Sequence, residues 1–117
     1  MIEVTKENWS ELIAEGVTLV DVWGPSCQPC IAMMPDVERL ADERTADMKV
    51  VKLEAPKNRR LCMEYKIMGL PAFLLFRDGQ EVDRLDGADV TARELRNWVD
   101  GQLAQLAAQA TISDGGE

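Results

Sequence analysis

Two cysteines stand three residues apart in the run Gly24-Pro25-Ser26-Cys27-Gln28-Pro29-Cys30. Such a pair has two chemistries open to it, thiol–disulfide exchange or a share in a metal site. The thiolate is the species that attacks a disulfide, and an ordinary cysteine with a pKa of about 8.5 is mostly protonated at neutral pH. A cysteine at the first residue of a helix differs. The unpaired N–H groups there and the helix dipole, roughly half a positive charge, favour the anion. A second cysteine three residues on, about one turn later, can bring its sulfur to the first and close a disulfide. On this reading Cys27, nearer the surface and the dipole, attacks the substrate disulfide. Cys30, deeper in the helix, resolves the mixed disulfide.

The metal alternative is poorly supplied. A closed zinc site takes four ligands, and beyond the pair the chain holds one further cysteine, Cys62, and no histidine. No metal is expected. The missing histidine also removes Ser–His and Cys–His nucleophiles. Proton transfer near neutral pH therefore falls to a perturbed carboxylate, a thiol or a lysine. Asp21 is such a carboxylate, because it interrupts the apolar run Val17–Trp23. Burial there raises its pKa, and it could take the proton from Cys30 as that thiol attacks. Taken alone, an aspartate hydrogen-bonded to a turn is the simpler reading. Cys62 reads as a small buried hydrophobe, with a regulatory thiol as the lesser alternative.

The elements that must hold these residues alternate in type. Ile2–Val4 is a short edge strand, and Thr5 can cap a helix over Glu7–Glu15 that Gly16 ends. Val17–Trp23 is a buried central strand, broken by Gly24-Pro25-Ser26. A helix begins near Cys27 with Pro29 in its first turn, and Pro35 should kink it. Met48–Leu53 is a second buried strand and Lys57–Tyr65 a short helix. Ala72–Phe76 and Glu81–Leu85 flank the hairpin signal Asp78-Gly79, and Thr91 can cap a last helix to about Ala108. The order βαβαβαββα predicts an α/β fold, a mixed central sheet with helices on both faces. One domain over residues 1–110 is expected, with a flexible polar tail over 111–117.

Composition fits that picture. Hydrophobic residues are 46% of the 117 and charged residues 29%, a globular mix. The net charge of −8 argues against nucleic acid and anionic membrane as partners. No apolar run approaches the roughly 20 residues that span a bilayer. Residues 2–9 carry charges where a signal peptide needs an apolar segment, so a cytoplasmic protein is expected. There is no glycine-rich phosphate loop, and no cofactor is expected beyond the redox-active pair. Lys57, Arg59 and Arg60 form a basic cluster that reads as a solvated face, with docking of an acidic reductase as the alternative.

The stretch Val20-Asp21-Val22-Trp23-Gly24-Pro25-Ser26-Cys27-Gln28-Pro29-Cys30 resembles the active-site segment of the thioredoxin family. The likeness continues through Ile31-Ala32-Met33-Met34-Pro35, Val51-Lys52-Leu53, Gly69-Leu70-Pro71-Ala72-Phe73, Phe76-Arg77-Asp78-Gly79 and Gly87-Ala88, covering Thr5 to Leu106. The resemblance implies the thioredoxin fold and protein-disulfide reduction. It makes Pro71 a cis-proline beside the cysteines and Lys52 the partner of a buried, proton-transferring Asp21. It also implies a substrate surface of Trp23, Gly24, Pro25, Ser26, Gln28, Pro29, Leu70, Gly87 and Ala88. Leu70 would offer backbone groups to an extended substrate. The implied partners are disulfide-containing proteins and a thioredoxin reductase, NADPH-flavin or ferredoxin-linked, with the chain a monomer.

The chain departs from the family at two places. Ser26 stands where tryptophan is usual, and Gln28 where glycine is usual. These changes leave a dedicated redox partner, an oxidant or isomerase of one target, or a binding or chaperone module as alternatives. Retention of both cysteines, Pro71, Asp21 and Lys52 speaks against the last.

Overall fold

The computed structural model describes residues 1–115. The elements follow the expected order: β1 (Ile2–Glu3), α1 (Trp9–Ile13), β2 (Val17–Trp23), α2 (Gln28–Glu43), β3 (Lys49–Glu54), a 3-10 turn (Ala55–Lys57), α3 (Arg59–Glu64), β4 (Ala72–Arg77), β5 (Gln80–Asp86) and α4 (Ala92–Gly115). The five strands lie in the order β1-β3-β2-β4-β5. β1 and β2 run parallel to β3, while β4 runs antiparallel to β2 and to β5.

Strand β2 shows why the sheet takes helices on both faces. Leu19, Val20 and Val22 are all fully buried, and successive side chains point to opposite sides. Leu19 joins one core with Met33 and Val37 of α2 and Leu95 and Val99 of α4. Val20 and Val22 join the other with Trp9 and Ile13 of α1 and Cys62 of α3. Burying each such side chain is worth about 1.5–3 kcal/mol. Cys62 thus packs as a small hydrophobe, and burial pushes its thiol pKa up. Trp9, Tyr65 and Phe76 meet edge to face in the same core, with ring centroids 5.3 to 5.6 Å apart.

Local chemistry sets the ends. The Glu94 N–H donates to Thr91 Oγ1 at 3.1 Å, and the Thr91 N–H donates to the Glu94 carboxylate at 3.3 Å. This reciprocal cap starts α4. Helix α1 is shorter than expected because Asn8 is spent on a turn. Its side chain accepts from the Thr5 N–H at 2.7 Å and donates to the Glu3 carbonyl at 3.1 Å. The expected helix over 57–65 is divided, since Asn58 (φ −136°) breaks it and donates its side chain to the Glu54 carbonyl at 2.9 Å. α4 runs past Ala108, and the tail expected over 111–117 falls partly on residues 116 and 117, outside the described residues.

Candidate active site

The chain leaves β2 through a turn in which the Cys27 N–H donates to the Gly24 carbonyl at 3.1 Å. Cys27 is the N-cap of α2, extended at φ −92° and ψ 101°. Its carbonyl accepts the first helical bond, from the Ile31 N–H at 3.1 Å. Its sulfur accepts from the Cys30 N–H at 3.2 Å, as an N-cap oxygen would. Pro29 occupies the first turn, where its missing N–H costs nothing. A disulfide joins Cys27 to Cys30 across 5.3 Å between Cα atoms. Cys27 is half-buried, whereas Cys30 is 3% exposed.

A second segment closes on this turn. The Leu70–Pro71 peptide is cis, as the family resemblance implied. The buried Pro71 opens β4, and its carbonyl accepts from the Gly87 N–H at 3.1 Å. Gly87 sits at φ +119°, a conformation in which any side chain is strained. A Cβ built on Gly24 would stand 3.4 Å from Leu70 Cδ1 and 3.7 Å from Pro56 Cδ. The pre-helix turn, the cis-proline segment and the chain after β3 therefore meet at Gly24. Pro56 is a neighbour that sequence reasoning missed; its place just after a parallel strand was the available signal.

Beneath the turn, Asp21 is 2% exposed and lies beside Lys52 in the β2–β3 register. Burial pushes the Asp21 carboxyl up from 3.8 to about 7, and the smaller pull of Lys52 acts the other way. Lys52 is half-buried, with its ammonium 5.8 Å from the centroid of the Trp23 ring. The Trp23 indole N–H is buried with no hydrogen-bond partner among the described residues. No hydrogen bond among the described residues joins Asp21 to either cysteine. Pro25, Ser26 and Gln28 are exposed around Cys27, Pro29 is half-buried, and Ala88 is exposed beyond Gly87. Two exposed apolar side chains, Ile31 at 44% and Met68 at 92%, follow Cys30 and precede Leu70. Sequence reasoning missed both. Among the described residues no group of three or more His, Cys, Asp or Glu could hold a metal ion.

A sheet of this topology with a two-cysteine disulfide at the N-terminus of a helix defines a protein of dithiol–disulfide exchange. The family model described as thioredoxin matches residues 1–101. A thioredoxin of Acetoanaerobium sticklandii is 34% identical over 101 residues, covering 85% of this chain and 96% of the relative. One of Peptoclostridium acidaminophilum is 36% identical over 107 residues, covering 90% and 94%. One of Staphylococcus haemolyticus is 33% identical over 87 residues, covering 74% and 84%. The chain belongs to the thioredoxin family. It is a thiol–disulfide oxidoreductase, a protein-disulfide reductase by class, whose partners in general are a thioredoxin reductase and disulfide-bearing targets. No helix among the described residues is long and apolar enough to cross a membrane.

Proposed function

We propose that Cys27 is the nucleophile and Cys30 the resolving thiol in the reduction of protein disulfides. The observation that carries this assignment is the sulfur of half-buried Cys27 accepting the Cys30 N–H at the start of α2, while Cys30 itself is buried. In the dithiol form, Cys27 thiolate attacks one sulfur of a target disulfide. A Cys27–target disulfide forms, the target disulfide breaks, and one target thiolate leaves and takes a proton. Cys30 then gives up its proton, attacks Cys27 and expels the second target thiolate. The target gains two electrons and two protons, and the chain ends with the Cys27–Cys30 disulfide.

Asp21 receives the Cys30 proton in this scheme, and Lys52 tunes it. A carboxyl with a pKa near 7 is matched to that task at neutral pH. Pro71 and Leu70 hold an extended target segment against the turn, with Trp23, Gly24, Pro25, Ser26, Gln28, Pro29, Gly87 and Ala88 forming the surface around it. A thioredoxin reductase, NADPH-flavin or ferredoxin-linked, returns the electrons, and the chain works as a monomer in the cytoplasm. Small, polar Ser26 leaves the wall beside Cys27 low, which favours targets that bring their own apolar contact.

Trapping tests the assignment. A Cys30→Ser variant cannot resolve, so targets should accumulate as disulfides on Cys27, identifiable by mass spectrometry. Adducts found equally on Cys62, or none on Cys27, would overturn it.

A further inference from the structure

Lys57 ends the 3-10 turn, and Arg59 and Arg60 open α3. All three are exposed. Together they form one bank of a groove of about 890 Å³. Lys6, between Glu3 and Glu7 on the segment joining β1 to α1, lines the other bank, and the buried Trp9 lines the groove as well. The molecule carries a net charge of −8, so a concentration of free cations is against its general trend. Elsewhere Arg39, Arg44, Arg77, Arg84 and Arg96 each have a carboxylate partner, and Arg93 stands alone without one among the described residues. Lys6, Arg59 and Arg60 have none among the described residues. Lys57 keeps only a 3.6 Å approach to Glu54, with its side chain 72% exposed.

Topology puts this groove next to the redox site. Strands β1, β3 and β2 are parallel neighbours, so their C-terminal ends share one edge of the sheet. The disulfide follows the end of β2, and the groove lies beyond the ends of β1 and β3. Pro56 bridges the two. It lies 3.7 Å from the Cβ position of Gly24 and directly precedes Lys57. A polypeptide whose disulfide reaches Cys27 therefore has its neighbouring residues within reach of the basic bank.

We infer that the groove docks an acidic segment of the disulfide-bearing partner, in sequence next to the disulfide that Cys27 attacks. Arginine and lysine donors at Lys57, Arg59 and Arg60 meet carboxylates there by charge-assisted hydrogen bonds. Glu3 and Glu7 repel the same carboxylates from the opposite bank and hold the segment on the α3 side. Those acids, with Glu64 at the end of α3, also disfavour a uniformly charged nucleic-acid backbone. Because the cations are exposed, the effect falls on encounter and on salt dependence. The inference rests on the exchange reading, but it can fail while that reading stands.

The test uses the reduced full chain and two disulfide-bridged peptides that differ only in a short extension flanking the cysteines. One extension is rich in Asp and Glu, the other in Ser and Gly, and each is placed on either side. At low ionic strength the acidic peptide should be reduced about tenfold faster by kcat/KM, and the advantage should vanish in high salt. An Arg59→Ser/Arg60→Ser variant should lose the advantage and reduce the neutral peptide at the wild-type rate. Equal rates on the two peptides, or an advantage untouched by the double substitution, would overturn the docking while leaving the exchange chemistry in place. Reduction of neither peptide would overturn both. A short single-stranded oligonucleotide of matched charge that competes as well as the acidic extension would overturn the assignment to a polypeptide.

Discussion

Asp21 and Lys52 stand side by side on adjacent parallel strands, on the face of the sheet that α2 covers. The lysine is near enough to pull the aspartate pKa down, yet burial outweighs it and holds the carboxyl at about 7. A strand position that would be apolar on packing grounds alone is therefore occupied by an acid that stays half-protonated at neutral pH.

That balance makes stability depend on pH with a definite sign. The folded-state pKa lies above the unfolded value of 3.8, so between about pH 4 and 7 the native state keeps a proton that the unfolded chain has released. The contribution of Asp21 is fully present below pH 4, falls as pH rises through the window, and is level above about 7. An Asp21→Asn variant should be more stable than the wild type above pH 7, by roughly 4 kcal/mol at most, and nearly equal to it near pH 4. That ceiling already contains the opposing pull of Lys52, which acts on the ionised carboxylate. Urea unfolding at pH 4, 6 and 8 reads the difference directly, and a gap that does not change with pH would contradict it.

The same group should shape the kinetics of resolution. If Asp21 accepts the proton of Cys30, release of a preformed Cys27 mixed disulfide should show an inflection near pH 7. In Asp21→Asn that inflection should disappear and the rate at pH 7 should drop by about 100-fold. Stopped-flow release of a chromophoric thiol from Cys27 separates this step from the first attack. An unaltered profile in the variant would remove Asp21 from the proton path.

The legible parts of the fold are those fixed by local chemistry. β2 is seven residues of nearly unbroken apolar sequence, and it runs Val17–Trp23 as read. Pro29 and the glycine turn before Cys27 mark a helix start, and Thr91 marks another. What escaped depends on register and on distant segments. Lys6 and Arg59 come to one groove because β1 pairs with β3, which no local pattern announces. Glu81 and Arg84 would face opposite sides of a regular strand, since side chains alternate. In β5, however, the register steps from Asp83 opposite Leu75 to Glu81 opposite Phe76, leaving Val82 as an extra residue. This bulge turns Glu81 and Arg84 to the same face.

Arg84 uses that placement to hold the segment leading to the cis-proline. Its guanidinium donates to the Tyr65 carbonyl at 2.8 Å and to the Lys66 carbonyl at 3.4 Å, and Glu81 holds it in place at 2.7 Å. At the other end of the segment Gly87 binds the Pro71 carbonyl. An Arg84→Ala variant should lose about 1–2 kcal/mol, less than a fully buried charged pair because the side chain is partly exposed. Amide exchange at residues 66–70 should quicken. Arg84→Lys should recover only part of the loss, for an ammonium cannot span both partners as the planar fork does. Denaturant midpoints and amide exchange check both variants, and an Arg84→Ala protein with wild-type values would remove the anchoring role.

Among the described residues, two other than glycine adopt positive φ, and their environments predict opposite outcomes. Lys66, at φ 55°, ends α3: its N–H donates to the Met63 carbonyl at 3.1 Å and the Ile67 N–H donates to the Cys62 carbonyl at 2.9 Å. This pattern of helix termination favours glycine, and among the described residues no hydrogen bond of the Lys66 side chain compensates. Lys66→Gly should therefore stabilise the fold by about 0.5–1 kcal/mol, the left-handed strain relieved less the extra entropy of glycine in the unfolded chain. Asp78, at φ 50°, uses its side chain. Oδ1 accepts from the Gly16 N–H at 2.8 Å, while its own N–H donates to the Gly16 carbonyl at 2.9 Å. Asp78→Gly relieves similar strain but forfeits a hydrogen bond worth about 1 kcal/mol, so it should be neutral or destabilising. Melting curves of the two variants should separate, Lys66→Gly upward and Asp78→Gly level or downward. Equal shifts would mean that the Gly16 contact contributes nothing to the hairpin.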